Sequence, residues 1–281
     1  MQNRLKDYLG ATGEVGRSLN NPKSPRLTPL EYATALLRSA VYLSWLILSV
    51  IPYALGVLLA SLIGIRGDRL YWFASYWLKM AVGAARVIAG VHYRVQGLEN
   101  LPSQINSGVI LLVKHQSAYE TFLMPAIMPH PLAYVFKREL LHIPFFGWAM
   151  GQLDMIHIDR SQKARAFQRV VEQGKALLAR GVWVIMFPEG TRIPRGEVGK
   201  YKSGGVRLAI ETGVDVIPVA VTSARCWPRK SFLLYPGTVD VSIGVAIPSR
   251  DGSPETLNAQ VEQWIESEMH RLDPQAYHSR E

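Results

Sequence analysis

A histidine and a glutamate, His115 and Glu120, follow a short apolar run at residues 109–113. Five consecutive aliphatic residues predict a buried strand, and the carboxyl end of such a strand is where open α/β sheets bind ligands. A carboxylate that reaches back to an imidazole fixes its tautomer and raises its basicity. The pair could therefore take a proton from a hydroxyl group.

The same segment also fits a purely structural role. Ser117 and Glu120 have the Ser-x-x-Glu spacing of a capping box, which predicts a helix start just after His115. A glutamate that only caps a helix, beside a solvated histidine, would need no substrate. Residues 109–121 leave both interpretations open, and the remaining motifs distinguish them.

Three further predicted strands, at residues 133–137, 155–158 and 182–187, are also followed by charged residues. The residues at their ends are Lys137 and Arg138, Asp159 and Arg160, and Glu189, Gly190, Thr191 and Arg192. If the strands share one sheet, these residues surround one crevice and suit a phosphate monoester beside a general base. Gly190 would let a ligand approach the backbone, and Arg192 could bind a phosphate through two parallel hydrogen bonds.

The composition favours an anionic partner. Net charge is +9 although only 19% of the residues are charged, which suits a phosphate-bearing substrate, an acidic carrier protein or an anionic membrane face. Nucleic acid is disfavoured, because the chain has no zinc-finger spacing and no long run of Lys and Arg. The single cysteine, Cys226, excludes an intrachain disulfide and indicates packing rather than a nucleophile.

Two apolar segments precede the predicted strands. Residues 39–65 carry no charge over 27 positions, which is long enough to cross a bilayer. Pro52 allows one kinked spanning helix or two half-length arms in one leaflet, and a core helix of a soluble domain is the alternative. Residues 70–91 are rich in aromatic side chains and predict a helix lying at the membrane interface.

The chain divides into three predicted parts. Residues 1–30 are expected to be a flexible polar tail rather than a signal peptide, and residues 31–90 a pair of membrane-associated helices. From residue 91 to 281 short strands alternate with helices, which predicts an α/β domain. Pro218 lies in a predicted strand at 215–221 and indicates an edge, a bulge or the point where the strand meets the site. The last strand is predicted at 239–247.

Several enzyme classes lack their motifs in this sequence. There is no Gly-x-Ser-x-Gly elbow of a serine hydrolase, no P-loop and no His-Glu-x-x-His zinc motif. A metal-dependent lipid phosphohydrolase would have to use His115 and Glu120 with His142 or His157, and these do not form a clustered ligand pattern. We therefore expect no metal.

Four segments together resemble the glycerolipid acyltransferases, in the order and approximate spacing of that family's four motifs. They are His115-x4-Glu120, Arg160 after Met-Ile-His-Ile-Asp, Glu189-Gly190-Thr191-Arg192 after Phe-Pro, and Val216-Ile217-Pro218-Val219. Within the family the chain is most similar to the bacterial 1-acyl-sn-glycerol-3-phosphate acyltransferases, over about residues 90–250. The resemblance implies a mixed β-sheet flanked by helices, preceded by an N-terminal membrane-associated helical segment.

The resemblance also implies residue roles. His115 would be the general base on the 2-hydroxyl of lysophosphatidate, and Glu120, where the family has aspartate, would orient it. The implied substrate-binding residues are Lys137, Arg160, Glu189, Gly190, Thr191, Arg192 and Pro218. Lys114 stands where the family usually has asparagine or a similar polar residue.

The implied enzyme is a 1-acylglycerol-3-phosphate O-acyltransferase of the bacterial inner membrane, with its catalytic domain facing the cytoplasm. The acyl donor would be acyl-CoA or acyl carrier protein, and no cofactor is expected, because a thioester is already activated. Lysophosphatidate and membrane lipids are the other expected partners, and nucleic acid is not one. The alternatives are acylation of another lysolipid, such as lyso-ornithine lipid, and a noncatalytic basic membrane-binding protein.

Overall fold

The structure is a computed structural model that describes residues 28–103, 108–159, 163–250 and 252–277. The expected polar tail at 1–30 lies almost entirely outside these residues, and so does Arg160.

Two long helices form the amino-terminal part. Helix α1 (Pro29–Leu62) begins with a capping box, in which the Thr28 hydroxyl and the Glu31 carboxylate each accept from the other residue's backbone N–H. Helix α2 (Gly67–Ala84) continues as a π-helical turn (Ala85–Ala89). A hydrogen bond joins the two helices: the Trp77 indole N–H donates to the Ser49 hydroxyl at 3.0 Å.

Helix α1 runs through Pro52 without interruption. The alternative of two half-length arms within residues 39–65 is therefore wrong. An 18-residue window of α1 has a mean hydropathy of 2.1, and only 17% of that window is buried. Among the described helices it is the one long and apolar enough to cross a membrane. Its low burial is unlike that of a core helix in a soluble domain.

Seven strands form one mixed sheet in the order β1-β7-β6-β2-β5-β3-β4. They are β1 (Val91–Gln96), β2 (Ile110–Val113), β3 (Leu132–Lys137), β4 (Ile156–Ile158), β5 (Trp183–Met186), β6 (Val216–Val221) and β7 (Gly237–Ile243). Strands β2 to β6 are mutually parallel, β7 is antiparallel to β6, and β1 is parallel to β7. The predicted mixed α/β sheet is confirmed. The four strands expected to end at one crevice, β2, β3, β4 and β5, are parallel, so their carboxyl ends lie along the same side of the sheet.

Helices cover both faces of the sheet. The remaining ones are α3 (Tyr119–Ile127), α4 (Phe146–Met150), α5 (Lys163–Ala179), α6 (Gly204–Thr212), α7 (Pro254–Leu272) and α8 (Pro274–Tyr277), with 3₁₀ turns at Leu98–Asn100, Arg138–His142 and Ser223–Arg225. Side chains of β2 alternate between two cores, as expected for a strand buried on both faces. Leu111 packs in the core that contains Tyr42 and Trp77 of the helical pair, and Leu112 packs in the core of α5, α6 and α7.

Pro218 lies in a central strand, and the edge alternative is wrong. Val216 pairs with Ile247 whereas Val219 pairs with Ile243, so three steps along β6 face four steps on the partner segment. That mismatch is a β-bulge beside Pro218, where a ladder N–H is not required. The bulge also explains why β7 ends at Ile243 rather than at residue 247.

Candidate active site

The turn between β2 and α3 holds the predicted histidine and glutamate together. Nδ1 of His115 lies 2.8 Å from Oε1 of Glu120. The same oxygen accepts the backbone N–H groups of Gln116 at 2.9 Å and Ser117 at 2.8 Å. Glu120 is fully buried, and the His115 side chain is 13% exposed. One carboxylate thus shapes the turn and holds the ring, which leaves Nε2 as the ring nitrogen available to a substrate.

The predicted capping box forms in part, because Oε1 of Glu120 accepts the Ser117 N–H at 2.8 Å but the Ser117 hydroxyl does not accept the Glu120 N–H. Helix α3 is preceded by Ala118 at the cap position, which makes no side-chain cap. The Ser117 hydroxyl accepts from the Tyr119 N–H at 3.0 Å, and Glu120 bonds the turn ahead of the helix. Glu120 therefore bonds both the backbone at the start of the helix and the imidazole.

Three further contacts fix His115. Its ring stacks on Phe187, with centroids 4.0 Å apart and planes inclined by 18°. Its backbone N–H donates to Oε2 of Glu189 at 2.7 Å, and its carbonyl accepts from the Ile193 N–H at 2.7 Å. The loop after β5 thus contacts the histidine through both a side chain and the backbone.

Behind the turn lies a buried ion cluster formed by Lys114, Glu189 and Glu266. Nζ of Lys114 is fully buried, 2.6 Å from a carboxylate oxygen of each glutamate. The Tyr201 hydroxyl donates to Glu266 at 2.8 Å. Burial raises the pKa of Glu189, an effect that Lys114 opposes and Glu266 reinforces. The carboxylate of Glu189 contacts Lys114 and the His115 N–H, and its predicted role in substrate binding stays a prediction.

A cavity of about 1090 Å³ opens at the sheet edge where β2, β3, β4 and β5 end. One wall is apolar and comes partly from α1 and α2, including Tyr53, Val57 and Trp77. His115 lines the cavity. The cations that line it are Lys137, Arg192, Lys202, Arg229 and Lys230. No Asp or Glu lines it within the described chain, so the cavity suits a ligand with an apolar chain and a negative group.

The predicted site residues fall into three groups. Those that line the cavity with His115 are Lys137, Gly190, Thr191 and Arg192. Those that do not are Glu120, which lies behind the ring, Glu189, and Pro218, which is buried in β6. Pro218 was expected to bind substrate; it is buried in the sheet and does not line this cavity, and its role stays a prediction. Arg160 lies outside the described residues, two positions after Ile158, which does line the cavity.

Lys202 is a cavity residue that the sequence analysis did not predict. Gly190 has a φ of +65°, and a Cβ there would lie 2.6 Å from Nζ of Lys202. The absence of a side chain at Gly190 is thus what admits this ammonium. The backbone N–H of Lys202 donates to the Pro188 carbonyl at 2.8 Å, which returns the loop to the site. Nothing local in the sequence distinguishes Lys202 from its neighbour Lys200.

A metal site does not emerge from the described residues. No group of three or more His, Cys, Asp or Glu side chains there is arranged to hold a metal ion. The phosphohydrolase alternative, with His115, Glu120 and His142 or His157, therefore finds no ligand set in that part of the chain.

Comparisons with known proteins show which family the chain belongs to. The family model described as Acyltransferase matches residues 92–222. A Pseudomonas aeruginosa protein named 1-acyl-sn-glycerol-3-phosphate acyltransferase is 40% identical over 238 residues, which cover 83% of this chain and 91% of that one. A mouse protein, 1-acyl-sn-glycerol-3-phosphate acyltransferase alpha, is 27% identical over 184 residues, covering 65% of this chain and 64% of its own.

A solved structure is similar over most of the chain. It is the crystal structure of PlsC, the 1-acyl-sn-glycerophosphate acyltransferase of Thermotoga maritima, with a TM-score of 0.72 and 25% sequence identity. The match covers 89% of this chain and 100% of that chain. The His115–Glu120 pair, the arrangement of the sheet and the extent of these matches lead to one conclusion: this chain belongs to the acyltransferase family of the 1-acyl-sn-glycerol-3-phosphate acyltransferases.

Proposed function

We propose that this protein transfers a fatty acyl group from an acyl thioester to the sn-2 hydroxyl of 1-acyl-glycerol-3-phosphate, giving phosphatidate. The observation that carries the proposal is the buried His115–Glu120 pair, 2.8 Å apart, at a cavity with apolar walls and cationic groups. The names of the similar proteins support the same substrate class.

His115 acts as the general base. Nε2 of the imidazole takes the proton of the 2-hydroxyl while that oxygen attacks the thioester carbonyl carbon. The new ester C–O bond forms, the C–S bond breaks, and the imidazolium returns the proton to the leaving thiolate. Glu120, hydrogen-bonded to Nδ1, stabilises the imidazolium that exists between the two transfers. The thioester is already activated, so these steps require no metal or cofactor.

Cavity cations bind the phosphate of the acceptor. Lys137 and Arg192 line the cavity with His115, and Lys202 lies against Gly190. No ion pair with a carboxylate is present for these three cations among the described residues, so their charge is available to a ligand. A dianionic phosphate would be held by several such charge-assisted contacts. Arg160, two residues beyond the cavity-lining Ile158, joins them in this proposal.

The acyl chains occupy the apolar part of the cavity, next to α1 and α2. Together with the exposed apolar surface of α1, this supports a membrane-bound enzyme. We place it at the bacterial inner membrane with the catalytic domain facing the cytoplasm, where acyl-CoA and acyl carrier protein are made. Alkaline carbonate extraction should leave the protein in the membrane pellet, and protease added to intact spheroplasts should not cleave the catalytic domain.

The decisive assay offers the purified protein a panel of lysolipids with acyl-CoA and with acyl carrier protein as donors. We expect lysophosphatidate to be acylated and His115→Ala to lose at least ~100-fold in turnover. Preferred acylation of lyso-ornithine lipid or of a lysophospholipid with a larger head group would favour the alternative acceptor. The reason to consider that alternative is that Glu120 and Lys114 differ from the residues usual in the family's motif. Unchanged turnover by His115→Ala would refute the general-base role.

A further inference from the structure

We propose that Glu266, on the closing helix α7, is a positioning residue for the acyl-transfer reaction and holds His115 in place through Lys114 and Glu189. The inference rests on the proposed function, because it takes His115 as the general base. It concerns a residue outside all four sequence motifs and 151 positions after His115.

A continuous chain of short polar contacts joins α7 to the histidine. Glu266 lies 2.6 Å from Nζ of Lys114, and Lys114 lies 2.6 Å from Oε1 of Glu189. Oε2 of Glu189 accepts the His115 N–H at 2.7 Å. Each contact is of charge-assisted length, and the first two are closed to solvent at Lys114. A displacement of Glu266 would therefore also displace the His115 backbone, through Lys114 and Glu189.

Helix α7 can serve as a fixed support. Ile265 and Met269 flank Glu266 and are fully buried in the core of α5, α6 and α7. The Tyr201 hydroxyl, which donates to Glu266 at 2.8 Å, orients the carboxylate. The carboxyl-terminal helices make a second contact with the turn, where the Gln116 amide donates to the Tyr277 hydroxyl at 3.1 Å. The histidine-bearing turn thus lies on a rigid backing from the end of the chain.

The charges of the cluster make the role testable. It contains one ammonium and two carboxylates, Glu189 and Glu266, and burial raises the pKa of Glu189. Removing the Lys114 charge leaves two buried carboxylates facing each other without a cation. Neutralising Glu266 instead leaves a balanced pair of Lys114 and Glu189. Loss of the Lys114 charge should therefore lower activity more than loss of the Glu266 charge. Neutralising Glu266 as well should restore part of the activity that is lost when Lys114 is neutralised.

The experiment measures kcat, and KM for both substrates, in the full-length purified protein. Lys114→Met should lower kcat ~30-fold or more with both KM values within ~3-fold of wild type, because it misplaces the base without touching the cavity. Glu266→Gln keeps the acceptor oxygen and should stay within ~3-fold. The double variant Lys114→Met/Glu266→Gln should recover ~5-fold over Lys114→Met. Glu266→Ala removes the oxygen and should lose at least ~10-fold in kcat.

Glu262→Ala is the matched control. Glu262 lies one turn earlier on α7 and, in the described structure, makes no hydrogen bond or ion pair with the turn that carries His115. It should leave kcat unchanged. Wild-type kcat in Glu266→Ala, or an equal loss in Glu262→Ala, would overturn the inference.

Further variants distinguish a folding defect, and a failure of the general-base role, from a failure of this inference. Should Lys114→Met not fold, Glu266→Ala and Glu266→Gln decide; should Glu266→Ala also not fold, Tyr201→Phe decides. It removes one hydroxyl and should lower kcat ~3-fold at unchanged KM, and no change would count against the proposal. An inactive His115→Ala beside a fully active Glu266→Ala refutes the inference alone, whereas an active His115→Ala refutes the proposed function.

Discussion

The imidazole of His115 lies flat on the ring of Phe187, with centroids 4.0 Å apart and an interplanar angle of 18°. Glu120 holds the ring at Nδ1 and Phe187 supports one of its faces. The rotation of the imidazole is therefore restricted by a hydrogen bond in its plane and by a stacked ring outside it.

Phe187→Leu should lower kcat about 3- to 10-fold with little change in either KM, because an aromatic pair contributes ~0.5–1.5 kcal/mol beyond its buried area. Phe232→Leu is the control, since Phe232 is 51% exposed. Steady-state kinetics of both variants test this, and equal kcat values would show that the stacking does not position the base.

Glu120→Gln should reduce kcat by ~10²–10⁴-fold while the free energy of unfolding changes by no more than ~1 kcal/mol. The amide oxygen can still accept the two turn N–H groups, but it carries no charge to stabilise an imidazolium. Glu120→Asp keeps the negative charge but has a side chain shorter by one methylene, so its kcat should lie between those of the wild type and Glu120→Gln. Kinetics with thermal unfolding measures both quantities; a Gln variant that loses stability but not kcat would support a purely structural role.

Lys202→Ala should raise the KM for lysophosphatidate about 10-fold, because it removes one charge-assisted contact to the phosphate. Lys200→Ala is the matched control, from the same loop but not lining the cavity. Arg192→Ala should act in the same direction as Lys202→Ala. An unchanged acceptor KM in Lys202→Ala would exclude this lysine from phosphate binding.

Cys226 should resist alkylation in the folded protein. It is fully buried, and burial raises the pKa of its thiol to about 12. At pH 8 only ~10⁻⁴ of the thiol would be ionised, and the thiolate is the reactive form. Iodoacetamide followed by mass spectrometry should show modification only after unfolding, with activity preserved in the native sample. Rapid labelling of native protein would contradict the buried placement.

Asp273→Asn should destabilise the protein at neutral pH and not in acid. Burial would raise the pKa of Asp273, but ion pairs with Arg195 at 2.7 Å and Arg225 at 3.3 Å outweigh it and lower the pKa below its ordinary value of 3.8. A lowered pKa gives stability that is present above the unfolded value and lost as pH falls through the folded one. We expect a loss of ~1–3 kcal/mol at pH 7 that disappears as the pH falls below 3.8 and through the lowered pKa of the folded state. Chemical unfolding at several pH values measures it.

Local patterns predict much of this structure. The strand at 109–113 and the pair of His115 and Glu120 lie within a dozen residues, so periodicity and spacing are enough to find them. The crevice follows from strand ends at one edge, and Lys137 and Arg192 are found there.

What the sequence analysis misses depends on distant partners. Glu189 looks like a ligand residue because it stands in a loop motif, yet its partners are the Lys114 ammonium and the His115 backbone N–H, 75 and 74 positions away. Lys202 reaches the cavity because the loop folds back onto Gly190. A buried lysine such as Lys114 requires carboxylates, but its sequence context does not identify which ones.

The reversal of β1 and β7 relative to the other strands determines where the amino-terminal helices join the sheet. Because β1 runs opposite to β2, Val91 and the preceding Gly90 lie at the edge where β2 to β6 end. A β1 parallel to β2 would deliver the helices at the far edge, about 20 Å away for a six-residue strand. The direction of β1 thus brings the amino-terminal helices to the edge of the sheet at which the cavity beside His115 opens.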